Sequence, residues 1–528
     1  MKNLFGAIGA IIVVLFCDLD LQAHEDDSKM TFANRIAPII FKNCSSCHHT
    51  GQAGPFELIS YQDVSRHAET IRVAVTDNYM PPWKPVSTGI EFANHRQLSD
   101  EDKKILIEWI DSGCPEGSPN DLPSPPKFHD GWRLGKPDLV VKMEKPFTVP
   151  ASGKDLYRSF VLPVNLPEDR WIKAIELRPS ARNVVHHALF FIADSSSLLG
   201  RQERDGQPGF RGMNFMRGTE FLSNGPDRLT RGLGGYVPGA VPNMLPGDLA
   251  RLLPKGSDII MQTHFHPSGK VEVEQAELAI YFSDTKPSHM LVPLQMPPLF
   301  GVGAGIDVPA GETNYQIRDA ITLPVDVQAI EIGGHAHYIC KNLKLDATLP
   351  DGKQLTLLQI DDWDLDWQDQ YLFKQPIDLP KGTKLTSVIS YDNSKNNPEN
   401  PFSPPQRIAW GRESTDEMGS VTLLLTAKEE NDRGQLEQLV SVRNRQAIQA
   451  RVKQQTSGLS ALGGGRLEQV GLIRLLDRNS DSKLQANEIP ERFRERLLEF
   501  LDSNGDDVLD ESEIRAGRTA MQRLMEDR

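Results

Sequence analysis

Cysteine is scarce, with five in 528 residues. A small disulfide-stapled scaffold is thereby excluded, since such folds are dense in cysteine. Basic residues are the minority charge, 58 Lys and Arg against 72 Asp and Glu, for a net charge of -14. The signs are mixed along the chain with no basic block, which argues against a nucleic-acid partner. Long apolar runs are also missing beyond the N-terminus, so no transmembrane helix is expected in the mature chain. The one apolar run, Leu4 to Cys17 behind Met1-Lys2-Asn3, is short for a bilayer and reads as a secretory signal over residues 1–23. Leu21-Gln22-Ala23 is the expected cleavage end, and Phe16 disfavours lipid attachment at Cys17. The expected location is therefore outside the cytoplasm, periplasmic or extracellular.

What is present divides into several units, as 528 residues should at roughly 100 to 200 per domain. Over 30–118, Phe32, Ile36, Ile39 and Ile40 recur at helical spacing and lead into Cys44-Ser45-Ser46-Cys47-His48. Two thiols at that spacing can each add to a haem vinyl group, and His48 then offers its imidazole to the iron. Half of a zinc site, or a redox Cys-x-x-Cys, would need a partner pair or a thioredoxin-like setting, and neither is found. Met80, in Asn78-Tyr79-Met80-Pro81-Pro82-Trp83, is the expected sixth ligand, with His67 and His95 competing. Methionine–histidine coordination suits electron transfer. A helix from Ser99 with Leu106, Trp109 and Ile110 on one face, stopped by Gly113, closes the unit. The segment resembles a small all-α cytochrome c domain. Cys114 and Cys340 remain, and their pairing cannot be read from sequence.

Residues 119–133 form a Pro-rich linker. From about 134 to 427, short alternating apolar stretches such as Ile172 to Leu177 and Ala188 to Ile192 are broken by turn residues. That is more chain than one β-sandwich holds, so two antiparallel sandwiches are expected, 134–284 and 285–427, with Phe282 to Pro293 at the seam. Arg201 to Asn243 reads as a long irregular segment able to cover or border a site.

Of the 13 histidines, several recur as pairs in this region. His335 and His337 are two apart and so share a face of a strand. His264 and His266 repeat the spacing. The doublet His186–His187 would point to opposite faces of a regular strand, so both can meet one ion only at a strand end or irregularity. Met418 adds a thioether, and imidazole with thioether suits copper, especially Cu(I).

The order His-His, strand His, His-x-His, Asp-Glu-Met resembles the copper type II, ascorbate-dependent monooxygenases, the family of peptidylglycine α-hydroxylating and dopamine β-monooxygenases. The opening segments Asp155 to Val161 and Leu166 to Arg170 and the Gln262-x-His264 pattern share the resemblance. It implies two sandwich domains that each hold one copper. His186, His187 and His264 would form an electron-storing site, and His335, His337 and Met418 the site that meets O₂ and substrate. His266 has no counterpart as a ligand. Peptide-amidating members carry Arg and Asn where this chain has Gly333 and Ser420, so the resemblance implies the copper chemistry and leaves the organic or peptide-like substrate open.

Residues 428–464 read as a helical connector with Leu436, Leu439 and Val440 at helical spacing, and 465–528 as an EF-hand pair. In the first loop Asp477, Asn479, Asp481, Lys483 through its carbonyl, Gln485 and Glu488 are the expected calcium ligands. In the second they are Asp502, Asn504, Asp506, Val508 through its carbonyl, Asp510 and Glu513. Ser482 and Asp507 replace the usual sixth-position glycine; Asp tolerates a left-handed turn better, so the second loop should bind tighter. Two coppers, a covalent haem c and one or two calcium ions are expected. Two functions compete: a monooxygenase using O₂ with ascorbate or a redox protein as donor, and a copper/haem electron carrier without oxygenase activity.

Overall fold

The structure is a computed structural model that describes residues 30–528 apart from 53, 129–130, 154, 195–201, 204, 212–231, 240–241, 461–475, 478, 480, 482, 490–493, 495–496, 499–500, 504–505 and 527–528. The expected signal segment with Cys17, much of the irregular 201–243 segment and Asn504 lie outside the described residues. Among the described residues the chain is mainly antiparallel β-sheet with a few helices. No described helix is long and apolar enough to cross a membrane.

A helical turn at Phe32–Ile36 leads into α1 (Ala37–Asn43), followed by α2 (Tyr61–Arg66), α3 (Ala68–Thr76) and α4 (Asp100–Asp111). The Ser99 hydroxyl accepts from the Asp102 amide, and Asp100, Glu101 and Asp102 place negative charge at the positive end of α4. Past Ser112 the chain leaves the helix through Gly113 at φ +83°. Leu106, Trp109 and Ile110 join Phe32, Ile36 and Ile40 in one apolar cluster. The 30–118 segment is nevertheless not a free-standing helical body. Trp83 and Phe92 are buried in the largest core of the C-terminal β region, where Pro85 bridges to Ile360 and Phe92 to Phe373. No local pattern announces this, because a short apolar stretch looks the same whichever core receives it.

The β region begins with β1 (Leu139–Lys142), β2 (Phe147–Val149), β3 (Leu156–Leu162), β4 (Arg170–Arg178), β5 (Val185–Asp194), β6 (Phe210–Arg211) and β7 (Gly232–Tyr236). It continues with β8 (Arg251–Leu253), β9 (Ser257–Phe265), β10 (Glu272–Glu274) and β11 (Glu277–Phe282). The sheets β1-β11-β4-β8 and β6-β3-β9-β5-β7 share one core that includes Leu162, Phe190, Met261, Phe265 and Ile280. In β9, between β3 and β5, every residue is buried, so its C-terminal end carries His264 into the interior.

After β11 come β12 (Leu291–Met296), β13 (Asp307–Val308), β14 (Tyr315–Thr322), β15 (Val327–Ala336), β16 (Cys340–Thr348) and β17 (Gln354–Ile360). Then follow β18 (Gln370–Leu379), β19 (Lys384–Tyr391), β20 (Ile408–Ala409) and β21 (Gly419–Ala427). Sheets β12-β21-β15-β18 and β14-β19-β16-β17 share the second core. Helix α5 (Arg433–Ser460) lays Leu436, Val440 and Ile448 on that core. Further on, β22 (Leu484–Gln485) pairs with β23 (Val508–Leu509), and α6 spans Glu511–Glu526.

Candidate metal centres

The doublet on β5 meets the last turn of β9 through a break in pairing. Register runs Val185 to Phe265 and then His187 to His264, with a bulge between that leaves His186 unpaired. A bulge re-aims side chains, so two adjacent histidines can turn toward one point despite strand alternation. The result is a compact triangle. His264 Nδ1 lies 3.2 Å from His186 Nδ1 and 3.4 Å from His187 Nδ1. A cation held at 2.0 to 2.1 Å by three imidazoles in tetrahedral geometry spaces its nitrogens by about 3.3 Å, which these separations match.

The far nitrogens are also spoken for. His264 Nε2 is 2.8 Å from Asp155 Oδ2, and His186 Nε2 is 3.1 Å from Asp366 Oδ1. If each Nε2–H donates to its carboxylate, both Nδ1 lone pairs face each other at 3.2 Å. Only a proton on one ring or a cation between them relieves that arrangement, and a carboxylate behind a ligating imidazole is the usual support for a metal. Burial pushes His187 well below the ordinary histidine value, aided by the fields of His264 and His186. Burial also lowers His264, against the opposing pull of Asp155. For His186, burial acts downward too, but the hydrogen bond and charge of Asp366, with Asp155 and Asp364, raise it overall.

Asp155 is the hub. Burial alone would raise its pKa, yet hydrogen bonds from His264, His266 and Tyr338 hold it well below the usual carboxylate range. His266 is exposed, takes the other carboxylate oxygen at 2.8 Å, and stands outside the triangle. The Tyr338 hydroxyl donates to Asp155 at 2.9 Å, and Tyr338 adjoins His337. The same carboxylate thus ties the two histidine groups together. Tyr157 stacks on His264 with ring centres 4.2 Å apart.

In the second group, β15 and β21 pair His335 with Ser420 and Ala336 with Gly419. Continuing that register sets His337 opposite Met418, and directly opposed residues share a face. The rings of His335 and His337 are 5.4 Å apart. His337 Nδ1 lies 3.2 Å from the Asp416 carbonyl, where an Nδ1–H can donate. Burial pushes His335 down to about 4 and His337 to about 3, so both stay neutral and able to ligate at neutral pH. Met418 is 1% exposed. Glu417 holds the corner: its carboxylate accepts from the backbone amides of His337 at 2.6 Å, Met418 at 2.8 Å and Ile339 at 3.2 Å. Burial raises Glu417 to about 8 in spite of those three donors. If the register carries on past Ala336 and Gly419, two imidazoles and a thioether share one face, a donor set that fits Cu(I).

The Cys44–His48 loop lies against the first β unit, with Cys47 Sγ 3.7 Å from the Gly239 carbonyl and Arg133 donating to the Ser46 carbonyl at 3.4 Å. Burial, with Cys47 nearby, pushes the Cys44 thiol up to about 12, unlike the lowered thiol of a redox Cys-x-x-Cys. His48 Nδ1 is 3.0 Å from the Phe56 carbonyl, which leaves Nε2 free for an iron. These features fit haem attachment. Met80 follows α3, its amide bonded to the Ala74 carbonyl. His67 stacks on Phe56 at 3.9 Å, while His95 packs on Trp83 at 4.8 Å.

In the C-terminal loops the carboxylates of Asp477, Asp481 and Glu488 gather, as do those of Asp502, Asp506 and Glu513. Leu484 pairs with Leu509, both fully buried, joining the loops back to back. Asp507 takes φ +58°, the left-handed turn expected at the sixth position. Lys483, Gln485, Val508 and Asp510 fall on the same two loops.

Asp155 and Glu417 lie in stretches that carry the resemblance, but no sequence pattern assigns them, Asp366 or Tyr338 a supporting role. Their roles depend on contacts between segments far apart in the chain, and only Glu417 and Tyr338 carry a local hint, adjacency to Met418 and His337.

No protein-family model and no curated protein matches the chain. Solved structures similar to parts of it include the major capsid protein P2 of bacteriophage PM2, at 11% identity and TM-score 0.21 over 55% of this chain and 97% of that one. Peptide:N-glycanase F matches at 10% identity and TM-score 0.21 over 55% of this chain and 96% of its own. The infectious bursal disease virus VP2 particle matches at 10% and 0.17 over 56% and 72%. Likeness at this level carries no argument about fold or activity.

Proposed function

We propose that the chain is an exported copper-dependent monooxygenase of the copper type II, ascorbate-dependent kind, which hydroxylates an organic C–H bond with O₂. The observation that carries this reading is the all-imidazole triangle, backed by Asp155 and Asp366; support comes from the half-buried His335 and buried His337 in the neighbouring β unit, where the extended register places Met418 opposite His337. Each pair of facing sheets is read as one sandwich domain. When bound, copper supplies the one-electron and O₂ chemistry that no side chain provides. The protein's part is to hold and orient. Asp155 and Asp366 fix the tautomers of His264 and His186; Glu417 and the Asp416 carbonyl fix His337 and the Met418 backbone.

Haem c on Cys44 and Cys47, with His48 and Met80 as axial ligands, is read as the electron entrance, fed by ascorbate or a redox protein. In support, Tyr79, next to Met80, meets Trp367 edge-on at 6.4 Å, and Trp367 adjoins Asp366, the partner of His186. The C-terminal pair is read as structural calcium loops. The rival reading, a copper/haem carrier, needs no organic pocket, whereas a cavity here reaches His335. The test is full-length protein loaded with copper and haem, given reductant, isotopically labelled O₂ and a panel of small organic compounds. One labelled oxygen atom per product, lost in His335→Ala, is expected; reductant oxidation without label in any product would reject the oxygenase.

A further inference from the structure

The cavity beside His335 has a chemistry of its own. It lies between β5–β7, the β12-β21-β15-β18 sheet and α5, with a volume of about 150 Å³. That is the size of a cavity able to hold a benzene ring. Its walls are largely apolar, with Phe191, Leu299, Phe300 and Leu424 among them. Among the described lining residues the charged side chains are Arg251 and Glu331, which neutralise each other at 3.0 Å. Gly333 has no side chain, and the Gln370 amide occupies the space a Cβ would need.

Two lining amides carry a buried atom without a hydrogen-bond partner: Gln368 Oε1, on an amide that interacts with His335, and Asn444 Nδ2 on α5. Leu436, Val440, Asn444 and Ile448 step by four residues along the buried stripe of α5. Asn444 is therefore an amide in an apolar row, 3% exposed, and it lines the cavity. Its Nδ2 is buried with no hydrogen-bond partner. A buried donor left unmade is costly, and a ligand acceptor would satisfy it.

The geometry points to a neutral, ring-sized apolar molecule with one hydrogen-bond acceptor as the occupant, its acceptor on Asn444 Nδ2 and its apolar body against Phe191, Leu299 and Phe300 at the His335 end of the cavity. This rests on the oxygenase reading of the His335 face and names the substrate class for it. A carboxylate is disfavoured because Arg251 is already paired. Asn444 is a specificity residue on a helix that the sequence marks only as a connector.

The test is calorimetric binding of acetophenone, ethylbenzene and benzoate to the purified full-length protein without reductant. Acetophenone should bind at least about tenfold tighter than ethylbenzene, with benzoate weakest. In Asn444→Leu, acetophenone should fall to the level of ethylbenzene while ethylbenzene is little changed. Equal binding of acetophenone and ethylbenzene, tightest binding of benzoate, or no binding of any probe would overturn the proposal, and the wild-type ranking decides this should the variant not fold. The expected ranking without oxygen incorporation keeps the pocket and rejects the oxygenase; incorporation without the ranking rejects the pocket chemistry.

Discussion

Replacing Asp155 with Asn probes the support of the histidine triangle without removing a ligand. The carboxylate takes three hydrogen bonds, from His264 Nε2 at 2.8 Å, His266 Nδ1 at 2.8 Å and the Tyr338 hydroxyl at 2.9 Å. Asn can keep its one oxygen toward His264 and Tyr338, which share Oδ2, and turn its NH₂ to His266 Nδ1, which then accepts as the other tautomer. What is lost is the negative charge behind His264, which holds its tautomer and raises its basicity as a ligand. Loss of such support behind a ligating imidazole weakens metal affinity by about 10- to 100-fold. That corresponds to about 1.4 to 2.8 kcal/mol. The assay is competition with a chromophoric chelator for copper, on metal-free full-length protein whose fold is checked by circular dichroism. His266→Ala serves as the control, since that ring is exposed and outside the triangle. An Asp155→Asn protein that folds and binds two coppers with wild-type affinity would refute the argument.

Acidification should empty the two groups in order. His186, raised above the ordinary histidine value, becomes an imidazolium first and cannot ligate, while His335 and His337, at about 4 and 3, remain neutral. Copper titrated at pH 5.5 should therefore be lost from the triangle before the Met418 side, as followed by spectra of His187→Ala and His337→Ala controls. The metal-free protein should also lose stability as pH falls from the ordinary histidine value of about 6.5 through those folded values, by about 1.4 kcal/mol per unit for each imidazole kept neutral; a melting temperature flat between pH 6.5 and 4 would contradict it. Glu417→Ala leaves three backbone amides without their acceptor and should cost about 3 kcal/mol or more in denaturant melts. Trp367→Ala removes the edge contact to Tyr79 and should slow reoxidation of the reduced haem in stopped flow, with both metals retained; an unchanged rate would remove that contact from the electron route.

The features legible in sequence were those written in local spacing. Alternation announced a β-rich chain, Ser99 and Gly113 bounded α4, and Asp507 accepted its left-handed turn. The doublet problem was legible too, since alternation demanded an irregularity at His186, and a bulge is there. What escaped notice depends on chain returning from afar. Asp155 and Asp366 act 109 and 180 positions away from His264 and His186, and no local pattern marks a carboxylate that will stand behind a ring. Trp83 and Phe92 were read with the helices around them, yet they pack in the second β core. Asn444 has no mark in the sequence, because one amide in a charged, Gln-rich helix looks like solvent-facing surface, whereas its neighbours at four-residue steps are buried.

X-ray absorption at the copper edge of the Cu(I)-loaded full-length protein asks the central question most directly. Two coppers per chain are expected, with nitrogen donors throughout and one sulfur neighbour on half of the metal. Met418→Ile should abolish the sulfur signal and leave the copper of the histidine triangle in place. A sulfur-free spectrum in the wild type, or a single copper per chain, would contradict the two-site account.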